Sequence, residues 1–307
     1  MTGFPQDFLS VDDLDADQLV GVLDLADTLK TTRGSPRGDL AGRTVALVFE
    51  KPSTRTRVSF QVAVTELGGS PLALSAAELQ LGRGETVADT GAVLSRYVHA
   101  IVIRTFGQDR LTHLAAAADV PVVNALTDTE HPCQALADLQ TVREEFGGFT
   151  GRRLTYVGDG NNVAHSLLLA AAKVGLDVDV AHPPGYAPDA DVVARAEAIA
   201  AGTGASVRVT TDVAGAVAGT DVVYTDVWAS MGQEDEADER LAVFRPYRVT
   251  QELFATAADD AVFLHCLPAH RGEEVDAVVI DGPSARVFDQ AENRLHAQKA
   301  LLARLVP

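Results

Sequence analysis

The sequence predicts an α/β protein of two doubly wound, parallel-sheet domains with the active site in the cleft between them. Three observations carry this. Short apolar runs alternate with segments of helical periodicity along the whole chain, the pattern of parallel sheets covered by helices. The run from Val98 to Ile103 is almost continuously apolar, as expected of a strand buried on both faces. A chain of 307 residues also exceeds one typical core and fits two domains of about 150 residues each.

In the first half, Leu19, Val22, Leu23 and Ala26 recur at helical spacing behind the capping candidates Asp13 and Asp15, predicting a helix from Asp12 to Lys30. A loop rich in Gly, Arg, Ser and Pro leads to a strand at Ala46–Phe49, which Lys51 and Pro52 end. The next helix has Ser53 as N-cap, Phe60, Ala63, Val64 and Leu67 on one face, and Gly68-Gly69 as its stop. Its first turn holds Arg55 and Arg57. A helix N-terminus already carries about half a positive charge, so two cations there cost stability unless an anion joins them. With the hydroxyls of Ser53, Thr54 and Thr56, the stretch FEKPSTRTRVSF reads as a phosphate cradle or as a solvated polar helix start.

Pro71–Leu74 is a second strand. The polar, glycine-bearing loop after it carries Gln80 and Arg83 and would suit a lid that delivers a side chain to a site, a neighbour's included. Val87–Tyr97 is helical, and the Val98–Ile103 strand ends in Arg104, where open α/β sheets place their ligands. A helix at Leu111–Ala118 and a strand at Val120–Ala125 lead into TDTEHPCQ. There Pro132 fits the first helical position and puts His131 at the helix mouth. A histidine in that place serves equally as a capping or core residue. A helix over Cys133–Phe146 closes the half.

Composition shifts at Gly147-Gly148, and the domain boundary is placed there, giving domains of residues 1–146 and 147–290. Leu154–Val157, the turn GDGNN, a helix at Val163–Val174 and a strand at Val178–Ala181 form a βαβ start. The turn lacks the third glycine of a dinucleotide fingerprint and no acid closes the next strand, which disfavours a nucleotide cofactor. Asn161 and Asn162 still offer amides for a carboxylate or an amine. A helix at Ala190–Ala201, a strand at Ser206–Val209 and a helix at Val213–Ala218 precede a strand at Asp221–Tyr224. Beyond it Asp226, Ser230 and Met231 supply an acid, a hydroxyl and an apolar wall, followed by an acidic stretch that reads as loop. The strand Ala261–Leu264 ends in His265-Cys266-Leu267-Pro268, presenting at the sheet edge a thiol that could also be a small hydrophobe. Arg286–Phe288 reads as the last strand and Asn293–Val306 as the last helix, with Arg294 a second cation in a first turn.

The formal net charge of -18 disfavours nucleic acid and makes each cluster of arginines more informative. No apolar run approaches membrane length and no basic-then-apolar leader is seen, so a cytoplasmic protein is expected. Two cysteines, Cys133 and Cys266, fit reduced thiols better than a disulfide framework.

STRTR, HPCQ, DVWASMG and HCLP occur in that order between residues 53 and 268. Together they resemble the aspartate/ornithine carbamoyltransferase family over nearly the whole chain, and within it the ornithine-using branch; the aspartate-specific relatives carry HPLP and lack SMG. The resemblance implies transfer of the carbamoyl group of carbamoyl phosphate to the δ-amine of L-ornithine, run either toward citrulline in arginine biosynthesis or backward to recover carbamoyl phosphate. Putrescine or an N-acylated ornithine is the alternative acceptor. It further implies a helix over 291–307 returning to the first domain, a homotrimer or multiple of trimers, and neither metal nor organic cofactor. By resemblance, Ser53, Thr54, Arg55 and Thr56 hold the phosphate, with Arg57 completing the motif. Arg104, His131 and Gln134 hold the carbonyl and amide, and Arg294 is a late contact to the same substrate. Gln80 crosses to a neighbouring site. Asn162, Asp226, Ser230 and Met231 form the ornithine site, with Asp226 taking the α-amino group, while Cys266 and Leu267 line the junction and touch carbamoyl phosphate. Arg55, Arg104, His131, Asp226 and Cys266 form the catalytic set.

Overall fold

A computed structural model describes residues 3–75, 84–229 and 237–307. Helix α1 (Ala16–Thr31) starts on Asp15, whose carboxylate accepts from the Gln18 N–H at 2.8 Å while Gln18 Oε1 accepts from the Asp15 N–H at 2.9 Å. This reciprocal box satisfies orphan donors of the first turn.

The chain divides into two compact units, Met1–Gln140 with Glu292–Pro307, and Thr141–Ala291. The first holds four parallel strands, β1 (Thr44–Phe49), β2 (Ser70–Ser75), β3 (Ala100–Arg104) and β4 (Val122–Leu126), in the order β2-β1-β3-β4. Helices α2 (Thr54–Glu66), α3 (Val87–Leu94), α4 (Gln108–Ala117) and α5 (Pro132–Phe146) alternate with them. Every residue of β3 and β4 is buried, which explains their near-continuous apolar sequences. Strand order reverses direction at the β1/β3 pair, the topological switch at which such sheets bind ligands.

The second unit repeats the plan with β5 (Arg153–Val157), β6 (Asp177–Ala181), β7 (Val207–Thr210), β8 (Val222–Thr225) and β9 (Val262–His265), all parallel, in the order β7-β6-β5-β8-β9. Its switch point is β5/β8. Helices α6 (Asn162–Val174), α7 (Ala190–Thr203), α8 (Val213–Val217), α9 (Ala237–Phe244), α10 (Gln251–Phe254) and α11 (Ala277–Ile280) connect these strands, and α12 (Val287–Leu305) ends the chain. One core packs Val157, Val223, Phe263 and Val275 with Val279 and Ile280. The division between units falls inside α5, before Gly147-Gly148, and inside α12. The C-terminal part of α12 returns to the first unit: Lys30 Nζ donates to Asn293 Oδ1 at 2.8 Å, and Lys299 pairs with Glu66 at 2.6 Å.

Two expectations are corrected at the C-terminus. Arg286–Phe288 is not a strand. The β9 edge takes only a lone bridge, Phe263 to Ala285, and α12 already starts at Val287. Val287 is buried while Phe288 is 73% exposed, so the apolar pair that read as strand is one turn of helix seen from two sides. Consequently Arg294 lies well inside α12, and the helix-terminus argument does not apply to it. The four-residue helices α10 and α11 are too short to show a period, and α9 occupies part of what read as acidic loop.

Candidate active site

The switch point of the first sheet is stitched before it becomes chemical. Glu50, just past β1, accepts from Arg110 at 2.8 and 2.5 Å and from the Thr105 hydroxyl. Buried Lys51 pairs with Asp128 and stands 4.5 Å over the Phe106 ring. Glu130 accepts from Ser10 Oγ at 2.6 Å and the Val11 N–H at 3.0 Å, pinning the TDTEHPCQ turn to the N-terminal segment. These bonds tie the carboxyl ends of β1, β3 and β4 into one frame.

On that frame Ser53 caps α2, its Oγ accepting from the Thr56 N–H at 3.3 Å and lying 3.0 Å from Thr56 Oγ1. Arg294 of α12 donates to Thr56 Oγ1 at 2.6 Å in a buried contact. Arg104 is the last residue of β3, and it, His131, Gln134 and Arg294 are all buried. Burial, then the charges of Arg294, Arg104 and Arg55, holds the His131 imidazole well below its usual pKa. Three guanidiniums therefore act on one neutral ring beside a helix N-terminus. Planar guanidinium forks gathered beside a helix N-terminus match an anion's oxygens. Residues two apart on a helix are separated by about 200°. Arg55 accordingly belongs to the cluster, whereas Arg57 and Thr54 are exposed.

Gln134 Nε2 donates to Asp138 Oδ1 at 2.7 Å, one turn along α5. Its Oε1 is buried with no hydrogen-bond partner among the described residues, an open acceptor in a field of donors. Cys133, next to it, points elsewhere: its thiol donates to Asn124 O at 3.3 Å, and burial, partly offset by Arg294, pushes its pKa to about 12. It is a packing residue.

At the β5/β8 switch of the second unit, Asp226 follows β8. Its Oδ1 accepts from Cys266 Sγ at 2.9 Å and the Val227 N–H at 2.8 Å, and its Oδ2 accepts from Asn161 Nδ2 at 3.1 Å. Asn161 is the N-cap of α6, its Oδ1 accepting from the N–H groups of Val163 and Ala164 at 2.9 and 3.2 Å. Tyr156 donates to the same oxygen at 3.3 Å. Burial, then Asp226, Asp159 and Cys266, raises the Tyr156 pKa well above normal, so it remains a donor and fixes the amide. Asn162 is the first helical residue. Asn161, which the GDGNN turn offered beside Asn162 but the family resemblance left out, is the one that holds the Asp226 carboxylate, and it does so as the N-cap of α6.

Cys266 and Leu267 follow β9, an edge strand. His265 Nδ1 accepts from the Leu267 N–H at 2.9 Å, and its Nε2 lies 3.3 Å from Glu274 Oε1. Asp226, His265 and Cys266 place acid, imidazole and thiol atoms within 4.8 Å of one another, yet each is already engaged in the hydrogen bonds just given. Gln80, Ser230 and Met231 lie outside the described residues.

Two family models match the chain. The carbamoyl-P binding domain of aspartate/ornithine carbamoyltransferase matches residues 6–144, and the Asp/Orn binding domain of the same family matches residues 150–305. The ornithine carbamoyltransferase of Parafrankia sp. is 61% identical over 302 residues, which cover 97% of this chain and 95% of that one. An anabolic ornithine carbamoyltransferase of Pyrococcus furiosus is 54% identical over 300 residues, 97% and 95% of the two chains. Among solved structures, ornithine carbamoyltransferase from Pyrococcus furiosus superposes with a TM-score of 0.95 at 53% identity, covering 98% of this chain and 96% of that one. The enzyme from Gloeobacter violaceus gives 0.90 at 51% identity with both chains fully covered.

Proposed function

The chain belongs to the aspartate/ornithine carbamoyltransferase family, and from that premise we propose that the Arg55, Arg104, His131 and Arg294 cluster is its carbamoyl phosphate half-site and the Asp226 group its ornithine half-site. The protein transfers the carbamoyl group of carbamoyl phosphate to the δ-amine of L-ornithine, releasing L-citrulline and phosphate. The observation that carries the site reading is the neutral His131 held among three guanidiniums.

The chemistry needs what these residues offer. A neutral amine attacks the carbonyl carbon, negative charge grows on the carbonyl oxygen, and the bond to the phosphate oxygen breaks. Arg104, the His131 N–H and a first-turn hydroxyl of α2 point donors at the growing oxyanion, the arrangement that lowers such barriers most. Because His131 is neutral it polarises that oxygen by hydrogen bonding. Arg55, Arg294, Ser53, Thr54, Thr56 and the α2 N-terminus take the charge of the departing phosphate. Gln134 holds the carbamoyl NH2. Asp226 takes the α-ammonium of ornithine, flanked by Asn162, Ser230 and Met231, with the Cys266 thiol and Leu267 beside it. No covalent intermediate is needed, so positioning two substrates contributes most of the remainder.

Assembly as a homotrimer, with Gln80 serving a neighbouring copy's site, belongs to the same proposal, as do a cytoplasmic location and net synthesis of citrulline toward arginine. The relative named anabolic supports the direction, and among the described residues no helix is long and apolar enough to cross a membrane. Citrulline formation from carbamoyl phosphate and ornithine is the test, run beside putrescine, N-acetylornithine and aspartate. Turnover with ornithine alone is expected; preferential carbamoylation of another amine would reassign the acceptor site.

A further inference from the structure

The orientation of Gln134 depends on a residue outside the recognised motifs. A glutamine amide has a donor end and an acceptor end of nearly equal shape, and only its surroundings decide which faces a ligand. Asp138 sits one turn further along α5, fully buried, and its Oδ1 accepts from Gln134 Nε2 at 2.7 Å. A carboxyl oxygen that accepts holds the NH2 end of the amide toward itself. The opposite end, Oε1, is then the one left buried with no hydrogen-bond partner among the described residues. The nearby cationic groups Arg55, Arg104 and Arg294 are donors, suited to the oxygens of a ligand and useless to its N–H groups. Gln134 Oε1 is the complementary acceptor.

We propose that Asp138 is a specificity-determining positioning residue: by locking the Gln134 amide it makes the site select a carbonyl compound bearing NH2 over one bearing CH3 at the same place. This rests on the assignment of the cluster as the carbamoyl phosphate half-site. A site that leaves a buried acceptor unpaired rejects the ligand lacking the matching donor. With the amide free to turn over, that rejection is lost, because the NH2 end can face a methyl group while Oε1 finds another donor.

The test uses two stable ligands of the full-length protein measured by calorimetry, phosphonoacetamide, which keeps the NH2, and acetonylphosphonate, which replaces it with methyl. Wild type is expected to prefer the amide by about 10- to 100-fold. In Asp138→Asn, which keeps the volume but offers either end of an amide, and in Asp138→Leu, the preference should shrink, through weaker amide binding together with tighter binding of acetonylphosphonate. Equal weakening of both ligands would make Asp138 merely structural and overturn the proposal, as would an undiminished preference in the isosteric Asn variant. Gln134→Ala separates the levels. If it abolishes the preference while the Asp138 variants keep it, the half-site assignment stands and the role of Asp138 falls; if it leaves the preference intact, both fall.

Discussion

His131 lies where burial and three positive neighbours all favour its neutral form, and two pH effects follow, one that depends on this residue and one that does not. In the unfolded chain an imidazole takes up a proton as pH falls through about 6.5, whereas the folded ring resists until well below that. The unfolded state then binds more protons, so stability falls as pH drops below the unfolded value. Melting temperatures between neutral pH and pH 5 should fall more steeply in wild type than in His131→Asn; parallel slopes would remove His131 from the account. For catalysis, the same depressed pKa means that His131 does not titrate near neutrality, and the attacking amine does. An alkyl amine with a pKa near 10 loses its proton about tenfold more for each unit of rising pH. The ratio kcat/KM for ornithine should climb through neutrality with the same slope in wild type and His131→Asn. A flat wild-type profile would contradict the neutral-amine mechanism. The arginines divide by face: Arg55→Ala should weaken carbamoyl phosphate binding by about 10- to 100-fold, the worth of a charge-assisted bond, with the fold retained. Arg57→Ala, whose side chain is exposed, should weaken it far less, and the reverse order would show that the wrong face had been chosen.

Among the elements, the turn after β9 is held by one bond inside its HCLP motif and one that reaches outside it, to Glu274. Leu267 has φ of 58°, a left-handed conformation that costs a bulky residue about 1–3 kcal/mol and persists only where its surroundings enforce it. The enforcement runs from the Leu267 N–H to His265 Nδ1, and from His265 Nε2 to Glu274. Burial opposes ionisation of Glu274, but hydrogen bonds from His265 and the His270 N–H still hold its carboxyl below the usual range. Glu274→Ala should therefore cost about 1–3 kcal/mol of stability and, by loosening the turn that brings the Cys266 thiol to Asp226, raise the KM for ornithine. A lower melting temperature with unchanged KM would confine Glu274 to folding. The turn also marks what the sequence could and could not reveal. Strands, caps and polar residues at strand ends were legible because period, cap chemistry and turn residues are local properties: Ser53 and Asp15 cap as read, and Arg104 and Asp226 stand at strand ends as read. Arg294 was legible only as a motif residue. Its bond to Thr56 spans 238 positions, which no local rule can span, and the helix start assigned to it was wrong. Asp138, by contrast, lay in reach, because i and i+4 on a helix are neighbours.

Over the whole molecule, 43 acidic residues face 25 basic ones, yet at least three of the arginines are gathered around one histidine. Every cation committed to that cluster is withheld from balancing the surface. Two electrostatic contributions to stability then compete as salt is added. Exposed pairs such as Arg271 with Asp281 weaken on screening, but each contributes only about 0–1 kcal/mol. The excess of acid repels itself in the compact state, and its many medium-range interactions lie near the Debye length of about 8 Å at physiological ionic strength. Repulsion summed over a net charge of -18 should outweigh the pairs. The melting temperature is therefore expected to rise from low ionic strength and level off once screening is complete, in sodium chloride and in choline chloride alike. A steady fall would show that ion pairs dominate, and a rise without a plateau, different for the two salts, would indicate an ion-specific effect. The buried cluster is screened far less, so affinity for phosphonoacetamide should change less over the same series than that of a surface anion site would. A steep loss of affinity with salt would place the anion on the exposed Arg57 side of α2 rather than among Arg55, Arg104 and Arg294.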